Sequence, residues 1–209
     1  MALTAPTIRP GDLADTEWLL ELFDEAVAWM VARGQPEQWG SEPWSAHPER
    51  VRRVRGLTRT GLSVAELDGE PVGALVVGDA PAYVPPPDRP ELYVNLLLTS
   101  RRHAGRAIGA DLVRVAVAQA RAAGRDVVRV DCYAGAPALV AWYERQGFRR
   151  CGTFDVNGWP GQIFTMSVDR GDPPPGRVTP SPSGGTRSTG RSPTRPGGRS
   201  RTPRTTRCD

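Results

Sequence analysis

The fold is decided by residues 91–109, which read ELYVNLLLTSRRHAGRAIG. The first part, residues 92–98, is almost entirely apolar and predicts a buried strand. A turn that contains Gly105 then leads into a helix predicted over residues 107–121. A helix start carries unpaired backbone N–H groups and the positive end of the helix dipole, so this junction predicts a pyrophosphate site. An ordinary helix start with a glycine in its loop fits the same letters.

The side chains of this junction also suit phosphate binding. Positive charge comes from three of its residues, Arg101, Arg102 and Arg106. Gly105 lets the backbone approach a ligand closely, and Ala107 and Gly109 keep the first helical turn thin. The nucleotide-binding patterns GxxxxGK[ST] and GxGxxG do not occur here.

Outward from the junction, hydrophobic periodicity predicts seven strands and four helices. The strands are expected at residues 5–9, 62–67, 72–77, 92–98, 127–133, 150–155 and 162–168, and the other helices near residues 12–33, 48–57 and 138–146. Two dipeptides, Asp68-Gly69 and Asn157-Gly158, predict tight turns between strands. The resulting order βααβββαβαββ predicts an α+β fold in which helices flank a sheet.

Charge divides the chain into two parts. Residues 170–209 carry nine arginines against Asp172 and Asp209, which leaves residues 1–169 with a net charge of −3. The tail is rich in Arg, Pro, Gly, Ser and Thr and contains only Val178 and Cys208 as apolar residues, so we expect it to be disordered. It lacks the aromatic residues that stack on bases, and we do not expect nucleic acid as a partner. We therefore assign the folded domain to residues 1–169.

Hydropathy and cysteine usage predict a cytoplasmic protein. No apolar run approaches the ~20 residues that span a bilayer, and the first residues do not resemble a secretory signal. The three cysteines, Cys132, Cys151 and Cys208, are widely spaced and predict neither a zinc site nor a disulfide framework. We expect no metal and no membrane partner.

Two motifs resemble those of the GNAT superfamily of acetyltransferases. The run Arg102–Ala107 is similar to the signature Q/R-x-x-G-x-G/A, and Trp142-Tyr143-Glu144-Arg145-Gln146-Gly147-Phe148 resembles the family's helix (L/Y)YE(R/K)xGF. The spacing and the element order over residues 5–168 also match, with most similarity to actinobacterial-type members whose acceptor is unassigned. The resemblance implies a mixed, mostly antiparallel sheet that is splayed at the cofactor strands.

The resemblance also implies how acetyl-CoA binds. The pantetheine arm would lie between strands 92–98 and 127–133, and the pyrophosphate would meet the N–H groups of the junction. The implied cofactor-binding residues are Leu97, Leu98, Thr99, Arg102, His103, Ala104, Gly105, Arg106, Ala107, Ile108 and Gly109. The family often has Asn seven residues before its catalytic tyrosine, and here that position is Ala136.

Catalytic groups are implied by the same comparison. Tyr143 matches the family tyrosine that protonates the departing CoA thiolate, although a tyrosine that only packs beside Trp142 and Phe148 is the alternative. Glu91 occupies a spacing similar to that of the glutamate base in related histone acetyltransferases, and a solvated strand-edge charge is equally compatible. Asp131 is a second candidate for the base, unless its position on a strand only places it in a salt bridge. His47 could lie near a substrate loop.

The expected reaction is transfer of an acetyl group from acetyl-CoA to a primary amine, most simply that of a small molecule. The residues expected to enclose the acceptor are Trp29, Gln38 and Trp39, with Trp44 nearby, unless these aromatics only close the edge of the core. A non-catalytic acyl-CoA-binding or sensor module is the alternative function, and a homodimer is left open.

Overall fold

The computed structural model describes residues 5–168, which form a seven-stranded sheet with four α-helices. The strands are β1 (Thr7–Pro10), β2 (Leu62–Leu67), β3 (Glu70–Gly78), β4 (Glu91–Thr99), β5 (Val127–Tyr133), β6 (Arg149–Val156) and β7 (Trp159–Ser167). The helices are α1 (Thr16–Val31), α2 (Pro48–Leu57), α3 (Ile108–Ala122) and α4 (Pro137–Arg145). This order confirms the predicted succession of elements. The predicted tail, residues 170–209, lies outside the described residues.

Both predicted hairpin turns are present. Asp68 and Gly69 join β2 to β3, and Asn157 and Gly158 join β6 to β7. All four residues have φ between +54° and +83°. Two consecutive positive φ values are typical of the type I′ turn, whose twist matches that of the flanking strands. Local turn chemistry therefore sets two of the five antiparallel pairings of the sheet.

The strands lie in the order β1-β2-β3-β4-β5-β7-β6, and only β4 and β5 are parallel neighbours. These two strands pair from Glu91 to Val94 on β4 and from Val127 to Val130 on β5. Beyond that point β4 continues to Thr99 alongside β3, whereas β5 continues to Tyr133 alongside β7. The sheet therefore opens between the C-terminal halves of β4 and β5, as the fold prediction required.

Helices cover the two faces of the sheet. The apolar face of α3 packs with α4 against one face, where Leu112, Val130 and Phe164 belong to the same buried cluster. The apolar face of α1 packs against the other face, where Phe23 and Leu96 share a second cluster. Helical periodicity in α1 and α3 and alternation in the strands produce these two cores.

Candidate active site

A cavity of about 1170 Å³ occupies the opening between β4 and β5. Residues of α1 and of the segment 35–44 line it from one face of the sheet, and residues of α3 and α4 line it from the other. The predicted cofactor residues that line it are Leu97, Leu98, Thr99, His103, Ala104, Gly105, Arg106, Ala107, Ile108 and Gly109. Tyr143 and the three predicted acceptor residues, Trp29, Gln38 and Trp39, line it as well. Arg102 and Glu91 are absent from this lining.

The start of α3 forms one end of the cavity and carries no side-chain cap. Ala107, at the N-cap position, has a left-handed backbone with φ of 60°. Gly105 has φ of +82°, and no atom lies within 4 Å of the position where its Cβ would be. Within the described residues, His103 Nδ1 and Arg106 Nε are buried without a hydrogen-bond partner. Uncapped N–H groups, open space and unpartnered polar atoms together suit an anionic ligand.

Glu25 of α1 holds the turn that precedes this loop. Its carboxylate accepts hydrogen bonds from the Ser100 hydroxyl (3.1 Å) and from the backbone N–H groups of Arg101 and Arg102. The guanidinium of Arg102 forms an ion pair with the same carboxylate at 3.6 Å. The Arg102 side chain is thus directed to Glu25, and Arg102 alone of the predicted cofactor residues does not line the cavity. Its contact with the cofactor stays a prediction. Glu25 belongs to no motif, and sequence reasoning missed it.

Gly109 is small because α4 packs against it. A Cβ built on Gly109 would lie 2.9 Å from Cζ2 of Trp142, closer than real Cβ contacts allow. The indole of Trp142 therefore needs the space that glycine leaves in the first turn of α3. This contact connects α3, whose start forms one end of the cavity, directly to the residue that precedes Tyr143.

Tyr143 lies at the bottom of the cavity and is only 5% exposed. Its ring packs against Phe148 and Phe164, with centroid separations of 5.7 and 5.3 Å. Burial raises the pKa of its phenol well above the ordinary value, and the nearby Cys132 and Asp131 raise it further. The phenol therefore keeps its proton at neutral pH. In the part of the chain that the structure describes, its hydroxyl has no hydrogen-bond partner.

Comparison with known families decides the classification. The family model described as Acetyltransferase (GNAT) family matches residues 21–148. The chain belongs to the GNAT acetyltransferase family. The matched span includes the split strands, the loop at Gly105 and Tyr143, so family membership supports acetyl transfer by this chain in general. A comparison with curated proteins found no match.

Solved structures share the GNAT fold. The acetyltransferase-type protein yncA of Salmonella typhimurium, whose structure contains acetyl-CoA, is 18% identical with a TM-score of 0.56; the match covers 82% of this chain and 98% of yncA. A ribosomal-protein-alanine N-acetyltransferase of Brucella melitensis is 22% identical with a TM-score of 0.53, covering 78% and 99%. A GCN5-related N-acetyltransferase of Rhodopseudomonas palustris is 22% identical with a TM-score of 0.59, covering 80% and 99%. The fold is thus one that binds acetyl-CoA in yncA.

Glu91 of this GNAT domain makes a structural ion pair. Its carboxylate accepts a hydrogen bond from the Arg129 guanidinium at 3.0 Å, and Arg129 also donates to the carbonyl of Pro85 at 3.1 Å. Both side chains are at most 10% exposed. Burial raises the pKa of Glu91, while Arg129 opposes that rise. The carboxylate predicted as a base is therefore occupied in fastening the segment around Pro85 to the sheet, away from the cavity.

Asp131 is the only acidic residue among the described residues that line the cavity. The hydroxyl of Tyr93, itself 1% exposed, donates a hydrogen bond to its Oδ2 atom. Burial raises the pKa of Asp131, whereas the Tyr93 hydrogen bond and the positive charge of Arg53 lower it. Because Tyr93 occupies one carboxylate oxygen, Oδ1 is the oxygen left to face the cavity. Of the predicted base candidates, this one has both the position and the raised pKa that suit the task.

His47 lies outside the cavity. Its Nε2 atom is 2.8 Å from the Glu42 carboxylate. Neither residue lines the cavity. This geometry gives His47 no contact with the acceptor side of the site.

The predicted acceptor aromatics have two different roles. Trp44 is stacked on Phe23 at 4.2 Å and Trp39 is tilted against Phe23 at 5.2 Å, so these rings build the wall of the α1 core. The Trp29 ring has the guanidinium groups of Arg33 and Arg101 at 4.1 and 4.2 Å from its centroid. Trp29 is therefore already engaged with cations of the protein.

A second aromatic group at the cavity was missed by sequence reasoning. Tyr83, Phe154, Trp159 and Tyr133 follow one another with centroid separations of 5.0, 5.9 and 5.5 Å. All four line the cavity, and we call them the aromatic rim. Trp159 Nε1 donates to the carbonyl of Gln38 at 3.0 Å, which joins the rim to the segment 35–44. The rim combines residues from three distant parts of the sequence, so no local pattern announces it.

Within residues 5–168, none of the helices has the length and apolar character that a membrane crossing requires. Among the same residues, no group of three or more His, Cys, Asp or Glu side chains is arranged to hold a metal ion.

Proposed function

We propose that this protein transfers the acetyl group of acetyl-CoA to the primary amine of a small molecule within a ternary complex. The observation that carries the proposal is one cavity that joins an uncapped helix start, a buried neutral phenol and a single carboxylate. Acetyl-CoA supplies an acetyl thioester. All other steps are assigned to side chains and backbone groups of the chain.

The residues of the loop fit the phosphates of the co-substrate. The open position at Gly105 and the unpartnered His103 and Arg106 support a pyrophosphate at the start of α3. The unpaired edge of β4 at Leu97, Leu98 and Thr99 supports binding of the extended pantetheine arm.

Tyr143 acts as the general acid. As the C–N bond forms and the C–S bond breaks, the thiolate that leaves has a pKa near ~8.5, taking cysteine as a guide. The phenol of Tyr143 donates its proton to that sulfur and is reprotonated through solvent, which also receives the second proton that the nitrogen loses as the amide forms. Its raised pKa keeps the proton available over the whole neutral range.

Asp131 acts as the general base. An alkylammonium group has a pKa of about 10.4, so the neutral nucleophile must be generated in the site. Oδ1 of Asp131 accepts this proton, and Tyr93 positions the carboxylate through Oδ2. A pKa raised by burial makes the carboxylate a stronger base than an exposed aspartate.

The experiment is an acetylation screen over amine classes with detection of released thiol and of acetylated product by mass. Wild type is compared with Asp131→Asn and with Asp68→Asn, an exposed residue of a distant turn that serves as the matched control. Asp131→Asn should lower kcat by about 10² to 10⁴ at pH 7. For an amine of pKa about 10.4, its activity should recover about 100-fold between pH 7.4 and 9.4, because the neutral amine becomes that much more abundant.

Two outcomes contradict the proposal. Binding of acetyl-CoA without transfer to any amine would support the alternative, a non-catalytic acyl-CoA-binding module. An Asp131→Asn enzyme with the rate and pH profile of Asp68→Asn would remove Asp131 from the reaction.

A cytoplasmic location and a homodimer stay predictions, as does the domain boundary at residue 169.

A further inference from the structure

We infer that the acceptor is a free α-amino acid with an aromatic or branched apolar side chain. The inference rests on the proposed function and names the substrate class of the same site. Three features of the cavity carry it, namely a lone carboxylate, a guanidinium beside it and the aromatic rim.

The carboxylate and the guanidinium face the same space. Asp131 and Arg53 both line the cavity, and the charge of Arg53 lowers the pKa of Asp131. Arg53 forms no ion pair with Asp131 or with any other acidic residue that the structure describes. A ligand that satisfies both groups carries an ammonium group and an anionic group. The α-amino acid has this arrangement, with its amine toward Asp131 and its carboxylate toward Arg53.

Arg53 is placed to receive such a carboxylate. It lies on α2 with its guanidinium 5.9 Å from the centroid of the Trp44 ring, beside the wall of the cavity. Its charge also lowers the pKa of Tyr83 in the aromatic rim, so the guanidinium acts at the rim and at Asp131 together. A planar guanidinium binds a carboxylate through two parallel hydrogen bonds, which fixes the orientation of the ligand.

The charge balance of the cavity opposes polycationic acceptors. Asp131 is the single acidic residue of the described lining. A polyamine or an aminoglycoside would bring additional ammonium groups into a cavity that has no second carboxylate among the described lining residues to receive them. One amine and one anion match the groups available.

The apolar part of the ligand belongs against the aromatic rim. Phe154 and Trp159 are stacked at 5.9 Å, and Tyr83 and Tyr133 extend the row at either end. Contact between such a row of rings and apolar or aromatic ligand surface stabilises the complex. The amine would then lie at Asp131, between the rim and the side of the sheet that carries Tyr143.

The test measures kcat/KM for matched acceptor pairs. Five apolar amino acids (valine, leucine, isoleucine, phenylalanine and tryptophan) are each compared with the amine obtained by removing the carboxyl group. Wild type should prefer at least one amino acid over its amine by about 10- to 100-fold, the effect of one charge-assisted carboxylate contact. Spermidine should be a poorer acceptor than that amino acid.

Variants of α2 assign the preference to Arg53. Arg53→Gln should lose the preference because kcat/KM falls much more for the amino acid than for the amine, and Arg53→Lys should restore part of the preference. The matched control is Arg52→Gln on the same helix, where Arg52 is exposed, pairs with Glu49 and does not line the cavity. Melting temperatures of all three variants establish that they fold.

The outcomes separate this inference from the proposed function. Acetylation of amines without preference for the carboxylate, or of polyamines above amino acids, would overturn the inference and leave acetyl transfer intact. Equal losses on both members of a pair in Arg53→Gln would overturn the role of Arg53. Absence of transfer to every amine would overturn the proposed function itself.

Discussion

Replacement of Tyr143 by phenylalanine separates catalysis from packing. The ring is 5% exposed and keeps its contacts with Phe148 and Phe164 in the variant, because only the hydroxyl is removed. If that hydroxyl protonates the leaving thiolate, kcat should fall by about 10² to 10⁴, equivalent to ~2.7 to 5.4 kcal/mol of transition-state stabilisation. Binding of acetyl-CoA should change little, because the substitution leaves the loop at Gly105 and the start of α3 unchanged.

The stability of the same variant should change little. Within the described residues the Tyr143 hydroxyl has no hydrogen-bond partner and faces the cavity, so its removal leaves no buried group unpaired. We expect the free energy of unfolding to change by less than about 1 kcal/mol. Tyr143→Ala, in contrast, empties a buried aromatic site and should cost about 3 to 5 kcal/mol.

The assay combines single-turnover kinetics, calorimetry with CoA and thermal melting. The pKa of Tyr143 is raised, so the wild-type pH–rate profile should show no falling limb from tyrosinate formation below pH 10. A Tyr143→Phe enzyme within twofold of wild type, with chemistry shown to limit the rate, would refute the general-acid role. A large loss of stability in that variant would contradict the observation that the Tyr143 hydroxyl has no hydrogen-bond partner among the described residues.

Three further perturbations test the site. Glu25→Gln should weaken CoA binding about tenfold, because the carboxylate that holds the turn at residues 100–102 is lost. The control is Glu21→Gln, one turn earlier on α1. Equal CoA affinities of the two variants by calorimetry would contradict the role of Glu25. Gly105→Glu places a side chain and a negative charge at the proposed pyrophosphate position, so CoA affinity should fall steeply while melting changes little; unchanged affinity would remove the loop from the site. Asp131→Asn should melt at the same temperature as wild type or higher at pH 7, because a carboxyl with a raised pKa destabilises the fold once pH rises through that pKa; a lower melting temperature would contradict it.

Local signals predicted the scaffold well. The Asp68-Gly69 and Asn157-Gly158 turns, the apolar run of β4 and the periodicity of α1 and α3 each depend on residues close together in the chain. Physical rules for turns and amphipathic helices act on such short segments, so the order of elements follows from them. The turn at Gly105 followed the same way, from a glycine between a strand and a helix.

Long-range contacts account for what the sequence did not predict. Glu25 and the loop it holds are more than 70 residues apart, and Trp159 reaches Gln38 across 121 residues. Glu91 looked like a base by spacing, but Arg129, on the neighbouring strand, takes its carboxylate. Partners of this kind depend on sheet order, which no local pattern encodes.

In the proposed reaction, the opening of the sheet allows the acid and the base to act on one substrate. Consecutive residues of a strand point to opposite faces, so Cys132 belongs to the core beside Tyr143, whereas Asp131 lies on the face of Tyr93. In a continuous sheet the backbone would separate the two groups. Because β4 and β5 stop pairing after Val94 and Val130, one cavity reaches both faces, and the charge of Asp131 is felt by the Tyr143 phenol. A proton can therefore leave the amine on one side of the sheet while another reaches the thiolate from the other side.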